Sequence, residues 1–103
     1  MRVLTPGHKY ELENFDIPSN YQELQFLHNE RVREESTELR IVADGIQNDE
    51  VFKMMIDRYK YLQTRVESDS NEKILDMLTM CLELEEQRTR DREKRKVEGK
   101  EEK

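Results

Sequence analysis

A chain of 103 residues has room for one domain, and with 34% hydrophobic against 41% charged residues its own core must be thin. A net charge of −6 excludes a general nucleic-acid coat, which needs a broadly basic surface, so an anionic ligand would have to be held by a local cluster and no DNA partner is expected. No apolar run is long enough to span a bilayer and no secretory leader opens the chain, so no membrane partner and a cytoplasmic location are expected.

Residues 1–45 read as a strand-rich part. Aromatic and aliphatic residues recur over 9–15 and 22–30, separated by the turn-forming string Asp16-Ile17-Pro18-Ser19-Asn20. Residues 31–36 are charged and read as a solvated loop. A third strand is expected over 37–44, where Leu39, Ile41 and Ala43 alternate with Glu38, Arg40 and Val42, the period of a strand packed on one face. Together these predict a small antiparallel sheet.

At Gly45 the period changes. Asn48 is a candidate N-cap, Asp49 and Glu50 suit the positive end of a helix, and Phe52, Met55, Ile56, Tyr59, Leu62 and Val66 follow at helical spacing. The string Glu67-Ser68-Asp69-Ser70 makes a tight polar turn with Ser68 as a cap. A second helix then carries Ile74, Leu75, Leu78, Cys81 and Leu82. So short a turn forces the two helices antiparallel, giving a helical hairpin over 48–95. The expected fold class is therefore α+β, a small N-terminal antiparallel sheet followed by a long two-helix hairpin. It forms a single domain over 1–96, with a charged, disordered tail over 97–103. Pairing amphipathic helices across subunits would enlarge a thin core without lengthening the chain, so a homodimer or a higher oligomer, up to a hexamer, is expected.

Chemistry-bearing residues are few. Cys81, the only cysteine, cannot form an internal disulfide and sits in an apolar helical stretch, where a buried structural thiol is the usual occupant. His8 and His28 are twenty positions apart and lack metal-ligand spacing, so no metal and no cofactor are indicated. The densest basic segment is 87–96, in which Arg88 and Arg92 fall one helical turn apart on one face. Two guanidinium groups so placed can clamp a phosphate with planar, bidentate donors, although basic residues in a last helical stretch also serve only to complement the helix dipole. Tyr61 is either packing at the edge of the hairpin or a platform for a nucleobase. Asn71, in the first turn of the second helix, either caps the backbone or reads a base or ribose edge.

The strings "PGHKYELENF", "VADGIQNDEVFKMMIDRYKYLQ" and "LEEQRTRDREKRKVEG" together resemble the phage family of Thoeris anti-defence sponges of the first type, which shares a helical-hairpin domain with the second-type anti-CBASS sponges. The resemblance spans nearly the whole chain: a strand-rich start, a D-G-x-x-N-x-E-V helix start, a hairpin and an R-T-x-D-R ending, in that order. It implies a protein that binds cyclic ADP-ribose signals, with cyclic di- and trinucleotides as further ligands, and that sequesters them without degrading them. It places the stacking aromatic on Tyr61, the polar amide on Asn71 and the paired arginines on Arg88 and Arg92. Relatives commonly read F-P-C-R-E-N between the helices, where this chain has the acidic string from Val66 to Asn71.

Asn71 and Arg88 are seventeen positions apart, about 25 Å along one straight helix, which no single cyclic nucleotide spans. If both touch one ligand they come from different chains. Two other function classes stand beside this one. An enzyme that cleaves the signal would need an activated nucleophile or an acid-base pair, for which only His8 and His28 offer themselves. A non-enzymatic scaffold or regulatory protein would bind a protein or nucleic-acid partner through the basic C-terminal segment.

Overall fold

The computed structural model describes the backbone of residues 1–101 and the side chains of residues 1–95. Five strands, β1 (Arg2–Thr5), β2 (Lys9–Glu13), β3 (Tyr21–Gln25), β4 (His28–Arg31) and β5 (Leu39–Ala43), precede two helices, α1 (Asn48–Arg65) and α2 (Asp69–Glu101). The α+β class expected from the sequence holds. The chain divides into two compact units, Met1–Gln47 and Asn48–Lys103.

In the first unit the strands form two antiparallel sheets, β1-β2-β3 and β4-β5, where one sheet was expected. The stretch 22–30 is not one strand because the chain changes partner in its middle. Tyr21–Gln25 pairs with β2. Past it, the Phe26 amide donates to the His8 carbonyl at 2.7 Å and the Leu27 amide to the Ile46 carbonyl at 2.9 Å, and from His28 the chain pairs with β5. Gly45 lies against this switch: a Cβ there would collide with the Gln25 carbonyl and stand 2.6 Å from the carbonyl carbon of Phe26. β1 was not read from the sequence. Its signal is Pro6-Gly7, for the His8 amide closes a turn onto the Thr5 carbonyl at 2.9 Å with Gly7 at φ 76°, the conformation that favours glycine at the third position of a type II turn. The expected loop 31–36 moves to 32–38, since Arg31 still pairs with Leu39, and within it the Ser36 amide bonds the Arg33 carbonyl.

The β4-β5 sheet departs from the one-faced pattern: Leu39, Ile41 and Val42 are all exposed, so its alternation does not mark a packed face. Tighter contacts gather elsewhere in this unit. The Tyr10 and Phe26 rings meet edge to face at 5.9 Å between centroids, and Arg2 bonds Glu11 at 2.6 Å while lying 5.0 Å from the centre of the Tyr21 ring. The Glu11 carboxylate, by hydrogen bond and by charge, raises the Arg2 pKa further above its ordinary value.

In the second unit α1 and α2 form the expected antiparallel hairpin. Val51, Phe52, Met55, Ile56, Tyr59 and Leu62 of α1 and Ile74, Leu75, Leu78, Cys81 and Leu82 of α2 are half-buried. Their spacing of three and four residues sets one apolar stripe on each helix, as the period predicted, except that Val66, expected on the first stripe, lies past the end of α1 and is exposed. Cys81 is half-buried rather than enclosed. Among the described residues no side chain is fully buried anywhere, so the core is even thinner than composition suggested. α2 does not stop near Arg95 but continues through Glu101, where a disordered tail was expected from residue 97; residues 102 and 103 lie outside the described ones. The extension is rich in Lys and Glu, good helix formers, with only Gly99 against it. No helix among the described residues is long and apolar enough to cross a membrane.

Candidate functional site

The turn between the helices is held by hydrogen bonds from the side chains of Gln63, Ser68 and Asn71. Ser68 Oγ accepts from the Asn71 amide at 3.1 Å, the N-cap its position predicted. Gln63, near the end of α1, accepts from the Ser68 amide at 3.0 Å and donates to the Ser68 carbonyl at 3.2 Å, taking the part that a glutamate three residues into α2 plays in a capping box. Asn71 Nδ2 donates to the Val66 carbonyl at 3.2 Å, which satisfies a carbonyl left over at the end of α1. At the other end, Asn48 is the first residue of α1 instead of its cap, and its side-chain Nδ2 donates to Glu85 Oε1 at 3.5 Å. These two tie points fix the hairpin register: Tyr61 lies level with residues 70–72 of α2.

The Tyr61 ring is 58% exposed, so it is not core. Asn71 does serve the backbone, as the capping alternative required, and does so with one amide hydrogen; among the described residues its Oδ1 accepts from no donor. Tyr61 and Asn71 thus share the tip of the hairpin. The sequence reading passed over Arg58 and Arg65, exposed three residues before and four after Tyr61 on the same face of α1, and that spacing was its available signal. Both can supply positive charge beside the ring.

Arg88 and Arg92 lie past Glu85, on the part of α2 that runs on beyond the first residue of α1. The Arg88 side chain is 66% exposed and approaches Glu85 Oε1 at 3.5 Å, a contact that water screens. Arg92 is exposed and, among the described residues, makes no ion pair. At about 1.5 Å per residue, Asn71 is some 25 Å from Arg88 and 31 Å from Arg92. One chain therefore sets Tyr61 level with Asn71, and Arg88 one helical turn from Arg92, and keeps the two pairs apart.

The histidines, distant in sequence, are adjacent in space. His8 and His28 stack with centroids 3.7 Å apart and planes 5° from parallel. Ring N–H bonds lie in the ring plane, so a face-to-face stack lets neither ring hydrogen-bond the other, and they are not a base with its orienting partner. His28 Nε2 lies 3.5 Å from Glu30, and His8 Nδ1 is buried without a partner. Among the described residues no group of three or more His, Cys, Asp or Glu side chains is placed to hold a metal ion. Compared with known proteins, the chain matches no family model, no curated protein and no solved structure.

Proposed function

We propose that this protein is a phage sponge that captures a cyclic ADP-ribose signal in the host cytoplasm without breaking it, cyclic di- and trinucleotides being further ligands, and so blunts Thoeris or CBASS-like immunity. The observation that carries the reading is the Tyr61 ring, kept in water at the hairpin tip with Asn71 at its level and Arg58 and Arg65 beside it. A flat aromatic face suits an adenine, an amide with an unused acceptor suits a base or ribose edge, and exposed arginines suit the phosphates. Arg88 and Arg92 complete the set as a second phosphate clamp, contributed by another copy of the chain. Capture needs no nucleophile, base or metal, since it has only to outcompete the receptor for free signal.

A panel of cyclic ADP-ribose isomers and cyclic di- and trinucleotides, read by thermal shift, tests the proposal. A true ligand at 100 times its dissociation constant stabilises the fold by about 2.7 kcal/mol. Heating the complex and analysing the released nucleotide by mass must return it intact. Release of cleaved product would make the protein an enzyme, and a panel with no shift would remove the sponge reading.

A further inference from the structure

In the first unit β1, β3, β4 and β5 each end a sheet, and exposed edges of this kind are ordinarily blunted by charge, proline or a bulge. Three of them are. The register of β1 shifts between Val3 and Thr5, the Gln25 carbonyl at the end of β3 is taken by the Ile46 amide, and β4 is the polar run His28-Asn29-Glu30-Arg31. β5 instead carries Leu39 and Ile41, 58% and 63% exposed, and its one irregularity comes later, at Val42, which the pairing with β4 skips.

One bond tells which main-chain groups lie on that edge. The Val32 amide donates to the Glu38 carbonyl at 3.0 Å, so Glu38 faces β4. Main-chain groups point alternately to the two sides of a strand, which turns Arg40 toward β4 as well and Thr37, Leu39 and Ile41 away from it. Among the described residues no strand lies along that outer side. Amides and carbonyls presented at every second residue, with apolar side chains between them, are half of a ladder.

We propose that a second copy of this chain supplies the other half, β5 against β5, antiparallel, with the twofold axis at Leu39. Leu39 then exchanges both main-chain bonds with the partner's Leu39, and Thr37 does so with the partner's Ile41. On one face the two Leu39 side chains meet at the axis, with Ile41 beside the partner's Thr37 at each end. On the other face Glu38 stands opposite the partner's Arg40, twice. That is a pair without main-chain bonds between its members, where Cα atoms are about 4.5 Å apart and side chains come closest. Arg40 lies 3.7 Å from Glu30 of its own chain and is still 67% exposed, free to take the partner's Glu38 as well.

Neighbouring registers fail on charge. An axis at Glu38 sets that carboxylate on its own copy, an axis at Arg40 does the same with the guanidinium, and an axis at Ile41 sets Glu38 against Asp44. A parallel pair in register stacks like on like throughout. Farther on, the ladder runs into the turn from Arg33 to Ser36 on one side and the skipped Val42 on the other. The product is a four-stranded sheet, β4-β5-β5-β4, which lies wholly in the first unit and does not rest on the sponge reading. Five residues a side bury less than a standard interface, so the contact is weak and forms with rising concentration.

Cysteine crosslinking of the full chain in a Cys81→Ser background tests the edge, since Thr37, Leu39 and Ile41 are all exposed. Under mild oxidation Leu39→Cys joins to itself, because a hydrogen-bonded pair on the axis has its Cα atoms about 5.5 Å apart, within disulfide range. Thr37→Cys and Ile41→Cys join each other when mixed and neither joins itself, identical positions two residues from the axis being about 14 Å apart. Self-crosslinking by Thr37→Cys or Ile41→Cys would mean a parallel pair or another register and overturn the proposal; so would a concentrated Leu39→Cys chain that stays uncrosslinked. Charge exchange supplies a second reading without new cysteines. Glu38→Arg and Arg40→Glu each set like charges opposite each other at both ends and weaken the association, followed by light scattering against concentration, about tenfold. Mixing the two variants restores it, because in the mixed pair both facing positions are complementary again. A mixture that associates no better than either variant alone would also overturn the register.

Discussion

Asn71 has two duties in this account, and Ser68 separates them. In Asn71→Ala the side-chain bond to the Val66 carbonyl at 3.2 Å is lost while the Ser68 cap survives, because that bond uses the residue 71 backbone amide. In Ser68→Ala the cap at 3.1 Å is lost and the Asn71 side chain survives. An exposed or half-buried hydrogen bond of this kind contributes about 0.5–1.5 kcal/mol and an N-cap about 1 kcal/mol, so the two variants should be destabilised alike. About 1 kcal/mol lowers the melting temperature of a chain this size by about 4–8 °C. Their affinities should differ. Loosening the turn weakens capture equally in both, but only Asn71→Ala also removes an amide that meets the ligand, which adds about 1.4 kcal/mol, or tenfold, to its loss. Calorimetric titration of the best cyclic nucleotide into each variant, with melting curves for both, measures the difference. Equal losses of affinity would show that Asn71 is a cap and nothing more.

Tyr61→Phe should bind almost as the native chain does, because the ring is kept, whereas Tyr61→Ala should lose about 1–3 kcal/mol of affinity with little change in melting temperature, since the ring is 58% exposed; equal binding by all three proteins in titration calorimetry would refute stacking. Arg88→Ala and Arg92→Ala should each weaken capture by about 1.5–3 kcal/mol and leave the helical circular dichroism unchanged, and native affinity in both would return these arginines to a solvated helix end. Gly45→Ala should destabilise the first unit by about 1–3 kcal/mol through the clash with the backbone of Gln25 and Phe26, seen as faster amide exchange in β4 and β5 with α1 and α2 unaffected; native exchange rates would mean that the backbone yields there at no cost.

The amino-acid order alone determined the hairpin. Stripes at three and four residues on α1 and α2, and a polar turn with Ser68 as its cap, are local signals whose meaning does not depend on distant contacts. Strands within 9–15 and from about residue 22 were legible from their aromatic and aliphatic residues and the turn string between them, although β2 ends at Glu13 and β3 at Gln25. What the tertiary structure decided was every choice of partner. Residues 22–30 look like one strand because period two says nothing about which neighbour supplies the ladder, and only the pairing of Gln25, Phe26 and Leu27 with His8 and Ile46 shows the switch between sheets. His8 and His28 looked unrelated at twenty positions apart until the strands stacked their rings. Tyr61 falls well off the α1 stripe of Phe52, Met55, Ile56, Tyr59 and Leu62, so its spacing already carried the signal for its exposure. Its level with residues 70–72 of α2 is what the tertiary structure added, a relation between two helices that neither contains by itself.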